Sequence, residues 1–189
     1  MSRRLSRCSA PEGLMVGCEQ CEREAVSLGP PSAGSVQDEE IICRGHYQMP
    51  DKRPGRPLRK LSIIKETDLL NGELSVWRAS RLCNSTVDDA VGILHQHGPT
   101  GGSLWKVYGI TANRLRTLDL SEINLNRAFC VLDDTRCDDQ GGRHALHAVI
   151  AICRLVGQAI DAVDDPIFQQ IKTILRREFE ISEVWSAAV

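Results

Sequence analysis

The chain has 189 residues, 42% apolar and 25% charged, with a formal net charge of −2 at pH 7. This composition excludes an intrinsically disordered chain, and the near-neutral charge excludes a protein that is basic over its whole surface. No apolar run reaches the roughly 18 residues that a membrane span needs. The basic N-terminus lacks the apolar stretch of a secretory signal, so we expect a cytoplasmic protein without a membrane role.

After a predicted tail of residues 1–17, two close pairs of metal-ligand residues follow each other. Cys18-Glu-Gln-Cys21 is followed by Cys43-Arg-Gly-His46 in a segment rich in proline, glycine and serine. In a cytosolic chain a Cys-x-x-Cys pair is more typical of a metal site than of a disulfide. We therefore predict a zinc-binding element at residues 18–47, with free thiols that meet by chance as the alternative.

Thiolates and imidazole are ligands that Zn²⁺ takes in a closed tetrahedral site. Gly45 would ease a tight turn that brings the second pair together, and Arg44 would temper the charge of three thiolates. Four protein ligands leave no position for water, so the predicted zinc is structural rather than catalytic. The predicted ligands are Cys18, Cys21, Cys43 and His46.

Residues 48–60 are rich in proline and basic side chains, which predicts a linker with little regular structure. Its Gly55-Arg56-Pro57 core resembles that of an AT-hook, which lies in the DNA minor groove. Pro54 stands where that motif has an arginine, and a stiff solvated linker is the other interpretation. The nucleic-acid hypothesis for residues 52–60 uses Arg53, Arg56, Arg59 and Lys60.

Residues 61–189 have the composition of a folded α+β domain, with a small mixed or antiparallel sheet and three to four helices. Alternating apolar residues predict strands at 73–78, 104–110 and 127–132, while residues 147–154 fit a strand or the start of a helix. A capping box of Ser85 and Asp88 predicts the start of a helix at 85–97. Capping residues also predict helices after Thr111 and from Asp165 to about Glu180. Cys83, Cys130 and Cys153 stand among apolar neighbours and are predicted to be buried thiols.

A second group of chemically versatile residues surrounds the end of the third predicted strand. His144 and His147 have a spacing that a helix would place on one face, and Cys137 stands nearby. A metal or acid–base site is one interpretation, and an exposed acidic loop returning to a core strand is the other. The acidic neighbours are Asp133, Asp134, Asp138 and Asp139.

Three short motifs resemble a group of small bacterial proteins encoded in conflict or defence gene neighbourhoods. They are Gly72-Glu-Leu-Ser-Val-Trp77, Tyr108-Gly-Ile-Thr111 and His147-Ala-Val-Ile150, and the similarity spans roughly residues 56–151. The group has no established activity. The resemblance therefore implies a small accessory or sensor-like protein in a multi-gene system, and it supplies no catalytic residues.

Three functions remain open from the sequence. The leading hypothesis is a non-enzymatic module that binds a protein partner in a multi-component defence system, with the C-terminal helix around Arg176 and Arg177 as docking surface or, alternatively, as a helix packed on the sheet. The second is a nucleic-acid-binding regulator that uses the zinc element and the basic segment. The third is a hydrolase or nuclease built on His144 and His147.

Overall fold

The structure is a computed structural model that describes residues 24, 33–51, 53–71, 74–80, 85–118, 128–134, 145–153, 160 and 162–187. The predicted tail, Cys18 and Cys21 lie outside these residues. Within the described part of the chain, no helix combines the length and the apolar character that crossing a bilayer requires.

Seven strands and four helices make up the described fold. The strands are β1 (Ile41–Met49), β2 (Arg59–Lys60), β3 (Leu74–Ala79), β4 (Ser103–Thr111), β5 (Phe129–Asp133), β6 (His147–Ile152) and β7 (Glu183–Ser186). The helices are α1 (Glu66–Leu70), α2 (Val87–Gln96), α3 (Ala112–Arg116) and α4 (Pro166–Glu180).

The strands form one antiparallel sheet in the order β5-β6-β3-β1-β4-β7, and β2 pairs with the end of β1 beside β3. The α+β class and the antiparallel sheet are thereby confirmed. Of the segment predicted as a strand or the start of a helix, His147–Ile152 form strand β6, which pairs with both β3 and β5.

The central position of β1 corrects the sequence prediction for residues 43–49. The predicted turn from Cys43 to His46 is extended strand, paired with β3 on one side and β4 on the other. Gly45 does not ease a turn; it leaves room for the ring of Tyr47, because a Cβ at Gly45 would lie 2.9 Å from that ring. The boundary predicted between a zinc element and a separate α+β domain therefore runs through the middle of the sheet.

The two faces of the sheet are covered by different helices. On one face α2 packs against β1, β3 and β4 around a smaller apolar cluster that includes Cys43, Trp77 and Leu94. The other helices contact the sheet at β3, β4, β5 and β6, and the larger cluster includes Phe129 and Phe168. The result is a three-layer arrangement in which both faces of the sheet are buried.

The helix boundaries follow side-chain caps. Asp165 caps α4 by accepting hydrogen bonds from the amides of Ile167 and Phe168, as predicted. For α2 the predicted box of Ser85 and Asp88 is one residue out of register: Thr86 and Asp89 exchange the reciprocal hydrogen bonds of a capping box.

The apolar stripe of α4 faces the core. Ile171, Leu175 and Phe179 are fully buried in the larger cluster. The stripe therefore packs on the sheet, and docking through the exposed Arg176 and Arg177 of the same helix stays a prediction.

Two buried ion-pair networks attach residues 24 and 34–40 to the domain. Arg78, 1% exposed, donates from Nε and Nη2 to the two carboxylate oxygens of Glu40, both at 2.8 Å, and its Nη1 lies 3.4 Å from Asp133. Arg116 donates from Nε to Glu24 at 3.1 Å and from Nη1 to Asp38 at 2.6 Å. A buried arginine paired in two directions fixes the path of the segment that leads into β1.

Candidate functional site

The basic segment is a hairpin arm instead of a linker. β1 and β2 pair through Gln48 with Lys60 and Met49 with Arg59, and residues 50–58 connect them. Gly55 has φ of +73°, a left-handed conformation that favours glycine, in the turn closed by the 3.4 Å bond from Arg56 N to Arg53 O. The AT-hook-like core therefore lies at the tip of a hairpin.

The arm concentrates positive charge on one part of a protein whose net charge is negative. Arg56, Arg59 and Lys60 are exposed. Arg53 is also exposed, but its Nη2 is held 3.0 Å from Oδ2 of Asp51. We call Arg53, Arg56, Arg59 and Lys60 the basic arm.

The base of the basic arm lies against an aromatic side chain. The pairing of β1 with β4 shifts between His46 and Tyr47, so that Trp105 is an extra residue on β4. Such a bulge turns a side chain away from its regular face. The indole of Trp105 meets the ring of His46 edge-on at 5.1 Å, and Lys60 Nζ lies 3.8 Å from the indole centroid.

A second lysine lies beside this indole, and a buried tyrosine lies beneath the histidine. Lys106 Nζ lies 5.0 Å from the Trp105 centroid and pairs with Glu183 of β7. The hydroxyl of Tyr108 lies 3.4 Å from Nδ1 of His46. We call Lys60, Trp105, Lys106, His46 and Tyr108 the aromatic–basic surface.

Burial lowers the pKa of His46, and the positive charges of Lys60 and Arg176 lower it further, against the opposing effects of a bond to the Leu61 backbone and of Glu180. The imidazole is therefore neutral at pH 7. The surface thus offers lysine ammonium groups beside a half-buried indole and a neutral histidine. Such a combination suits ligands with both negative charge and flat rings.

The predicted zinc ligands are not brought together by the described residues. Cys43 and His46 are three positions apart on β1, so their side chains leave opposite faces of the sheet. Cys43 is fully buried against the α2 cluster, and burial raises the pKa of its thiol to about 12. The part of the chain that the structure covers holds no cluster of three metal-ligand side chains. Cys18 and Cys21 lie outside it, so zinc binding itself stays a prediction, whereas one ion shared by Cys43 and His46 does not fit the geometry of β1.

His147 lies in a row of residues that crosses the sheet. Cys43, Trp77 and His147 are directly opposite one another on β1, β3 and β6. The Trp77 indole meets His147 edge-on at 5.1 Å and stacks with His97 at 5.4 Å. Cys43 and His147 are therefore separated by a whole strand, roughly 10 Å, and form no nucleophilic dyad.

The acidic partner of His147 is Asp134. Nδ1 of His147 lies 2.6 Å from the backbone oxygen of Asp134 and 3.4 Å from its carboxylate. Asp133 instead pairs with Arg78. His144, Cys137, Asp138 and Asp139 lie outside the described residues. The acid–base site therefore remains a prediction, of which the structure describes His147 and the two carboxylates of Asp133 and Asp134.

Sequence reasoning missed the aromatic–basic surface because its members come from separate strands. Trp105 and Lys106 lie in a correctly predicted strand, but regular alternation would put their side chains on opposite faces. The strand β1 was itself not predicted. The signal for β1 was the run from Ile41 to Tyr47, which begins with two β-branched isoleucines and ends with a tyrosine, residue types that favour strands.

A comparison of the chain with known protein families, with curated proteins and with solved structures gives no match in any of the three.

Proposed function

We propose that this chain binds nucleic acid through the basic arm and the aromatic–basic surface at its base. The observation that carries the proposal is the position of Lys60 over Trp105, which joins the charged hairpin to an aromatic ring. Phosphates supply most of the affinity of nucleic-acid complexes through contacts with arginine and lysine. Aromatic rings add stacking with bases, which any base sequence can provide.

The distribution of charge supports this function over an enzyme of small substrates. The exposed Arg56, Arg59 and Lys60 stand on a hairpin at the C-terminal end of β1, where they can follow a phosphate backbone. Lys106 lies at the same indole ring as Lys60. These groups recognise negative charge and shape rather than a particular base, so we expect weak sequence preference.

The arrangement favours single strands or unpaired ends. Lys60 Nζ occupies one position over the indole, and a base can stack there once the flexible lysine side chain swings toward a phosphate. In a duplex the bases are stacked on each other, so the indole would contribute little. We therefore expect tighter binding to a single-stranded oligonucleotide than to a duplex of the same sequence.

Fluorescence anisotropy with labelled single-stranded and duplex oligonucleotides tests the proposal on the full chain. We expect Lys60→Ala and Trp105→Leu each to weaken single-strand binding, the latter by about 1–3 kcal/mol for each stacked base. Lys65→Ala is the matched control, because Lys65 is an exposed lysine that pairs with Asp68 on α1. Equal affinities for all four proteins, or no binding at low salt, would overturn the proposal.

An acidic protein partner would use the same charges but not the base stacking. Loss of binding in Lys60→Ala together with an unchanged Trp105→Leu variant would therefore favour such a partner over nucleic acid. The protein-partner hypothesis from the sequence stays a prediction: the stripe of α4 is buried, whereas Arg176 and Arg177 on the same helix are exposed.

A further inference from the structure

Two buried cysteines lie in contact at the β5–β6 end of the sheet. The Sγ atoms of Cys130 on β5 and Cys153, which directly follows β6, are 3.2 Å apart. Cys130 pairs with Ala151, and Cys153 N donates to Ala128 O at 2.7 Å, so the two cysteines are diagonal neighbours on one face. Both are fully buried in the larger apolar cluster.

The two sulfur atoms are close enough for a small displacement to allow a disulfide bond. A disulfide joins its sulfurs at about 2 Å, so an approach of roughly 1 Å closes the gap between them. Cys43, by contrast, lies in the other apolar cluster, beside Trp77 and Leu94.

We propose that Cys130 and Cys153 are a redox modification site, at which a peroxide or a small disulfide converts the two thiols into a reversible intrachain disulfide. With a small disulfide, two successive exchange steps form the intrachain bond and release two small thiols. With hydrogen peroxide, one thiolate attacks an oxygen and the O–O bond breaks; the sulfur becomes a sulfenic acid, and the other oxygen takes up a proton and leaves as water. The second thiolate then attacks that sulfur, the S–S bond forms, and the oxygen leaves as a second water. Two thiols and one peroxide thus yield one disulfide and two waters, and a dithiol reductant reverses the reaction.

The position of β5 provides the route for the oxidant. β5 is the last strand in the sheet order, and it pairs with β6 alone among the described strands. Local separation of β5 from β6 breaks one strand pair and exposes both thiols. Cys43 lies on β1, which is paired with β3 on one side and β4 on the other, so its exposure requires a larger opening of the sheet. Oxidation is therefore expected to be slow in the closed state and faster at subdenaturing urea.

Closure of the bond changes the stability of this part of the sheet. A disulfide stabilises mainly by restricting the unfolded chain. The same two strands carry Asp134 and His147 at their other end, where Asp134 N donates to His147 O at 3.2 Å. Oxidation would therefore link β5 and β6 covalently, and these are the strands at whose other end Asp134 and His147 are paired.

Peptide mapping of the full chain tests the site without ambiguity. Tryptic cleavage gives residues 128–136 with Cys130 as the single cysteine, residues 144–154 with Cys153, and residues 24–44 with Cys43. The reduced protein is treated with hydrogen peroxide, unfolded in acid with an alkylating maleimide, and digested without reductant. We expect the linked peptide 128–136/144–154 as the main disulfide product, lost on reduction with dithiothreitol.

A stability measurement provides the second readout. Oxidation should raise the urea midpoint of the wild type and of Cys43→Ser, and leave that of Cys130→Ser unchanged. Separate alkylated peptides for Cys130 and Cys153, or a linked peptide no more abundant than links to Cys43, would overturn the proposal. The wild-type peptide map decides the question even if Cys130→Ser fails to fold.

Discussion

Cys43 and His46 leave opposite faces of the central strand β1, the first toward α2 and the second toward Trp105 and Tyr108. Two of four predicted zinc ligands are therefore separated by the sheet itself. A tetrahedral site needs all four ligands within about 2.3 Å of one ion. A shared ion at Cys43 and His46 would require β1 to give up its pairing with β3 and β4.

We therefore predict that Cys43 plays no part in metal binding. Cys43→Ala should leave the zinc content of the purified chain unchanged and lower its stability through lost packing. Cys21→Ala is the comparison, since Cys21 belongs to the Cys-x-x-Cys pair. Native mass spectrometry measures the metal content, and the loss of one zinc equivalent in Cys43→Ala would contradict the strand geometry and restore the predicted site.

The ion pair of Arg78 with Glu40 should dominate the electrostatic contribution to stability. Arg78→Met leaves the carboxylate of Glu40 buried without its main donor, which costs about 3–5 kcal/mol of unfolding free energy. Arg176→Met removes an exposed i,i+4 pair with Glu180 and should cost roughly 0.5 kcal/mol or less. Urea unfolding of both variants measures the difference, and similar losses would show that the Arg78 pair is not buried as described.

Tyr47 links β1 to the end of α2, and Gly98 lies against its ring. Its hydroxyl donates to Leu94 O at 2.7 Å, and a Cβ at Gly98 would lie 2.6 Å from its ring. Gly98→Ala should therefore destabilise the fold. Gly92→Ala, inside α2 with open space around its Cβ, should stabilise it by roughly 0.5–1 kcal/mol.

The coupling between Gly98 and Tyr47 can be measured directly. In a Tyr47→Ala background, Gly98→Ala should lose most of its cost, because the clashing ring is gone. Thermal unfolding of the double-mutant cycle gives the coupling. Additive effects of the two substitutions would mean that the ring of Tyr47 does not lie against Gly98.

The capping box of α2 makes a prediction about pH. Hydrogen bonds from Thr86 lower the pKa of Asp89, so the carboxylate is favoured in the folded state. Its contribution is present above the ordinary aspartate pKa near 3.8 and is lost as the pH falls through the lower folded value. Asp89→Asn should therefore lower the melting temperature at pH 7, with a difference from wild type that shrinks below about pH 4.

Asp88→Asn is the control for the register of that box. Asp88 also lies in the first turn of α2, but the reciprocal bonds are made by Asp89. Both substitutions remove a negative charge near the helix N-terminus. A larger loss in Asp88→Asn than in Asp89→Asn would place the cap where the sequence pattern first suggested it.

The sequence predicted the elements whose signals are local. The strands around Val76, Val107 and Val131 follow apolar patterns, and α4 follows its Asp165-Pro166 start and its apolar stripe. These features depend on near neighbours in the chain, so one sequence is enough to find them. The one-residue error at Thr86 arose because Ser85 and Asp88 have the same capping chemistry three residues apart.

The sequence named the four basic residues of the arm from their composition, but it did not predict β1, β2 or the position of Trp105 beside them, because that structure depends on distant partners. Arg44 donates to the carbonyl oxygens of Ile63 and Ser75, and Gly45 accommodates Tyr47, none of which is visible in the Cys43–His46 spacing. The zinc prediction followed the spacing of Cys43 and His46 and gave less weight to the strand signal of the same residues. The bulge at Trp105 is likewise defined only by the register between β1 and β4.

The salt dependence of oligonucleotide binding tests the central claim most directly. Each phosphate contact contributes about 0.9 to the slope of log affinity against log salt for duplex and about 0.7 for single strands. The combined Arg56→Ala and Arg59→Ala variant should therefore lower the single-strand slope by about 1.4 relative to wild type, with Lys65→Ala unchanged. An equal slope for the three proteins, or binding that ignores salt, would contradict an interface built on the basic arm.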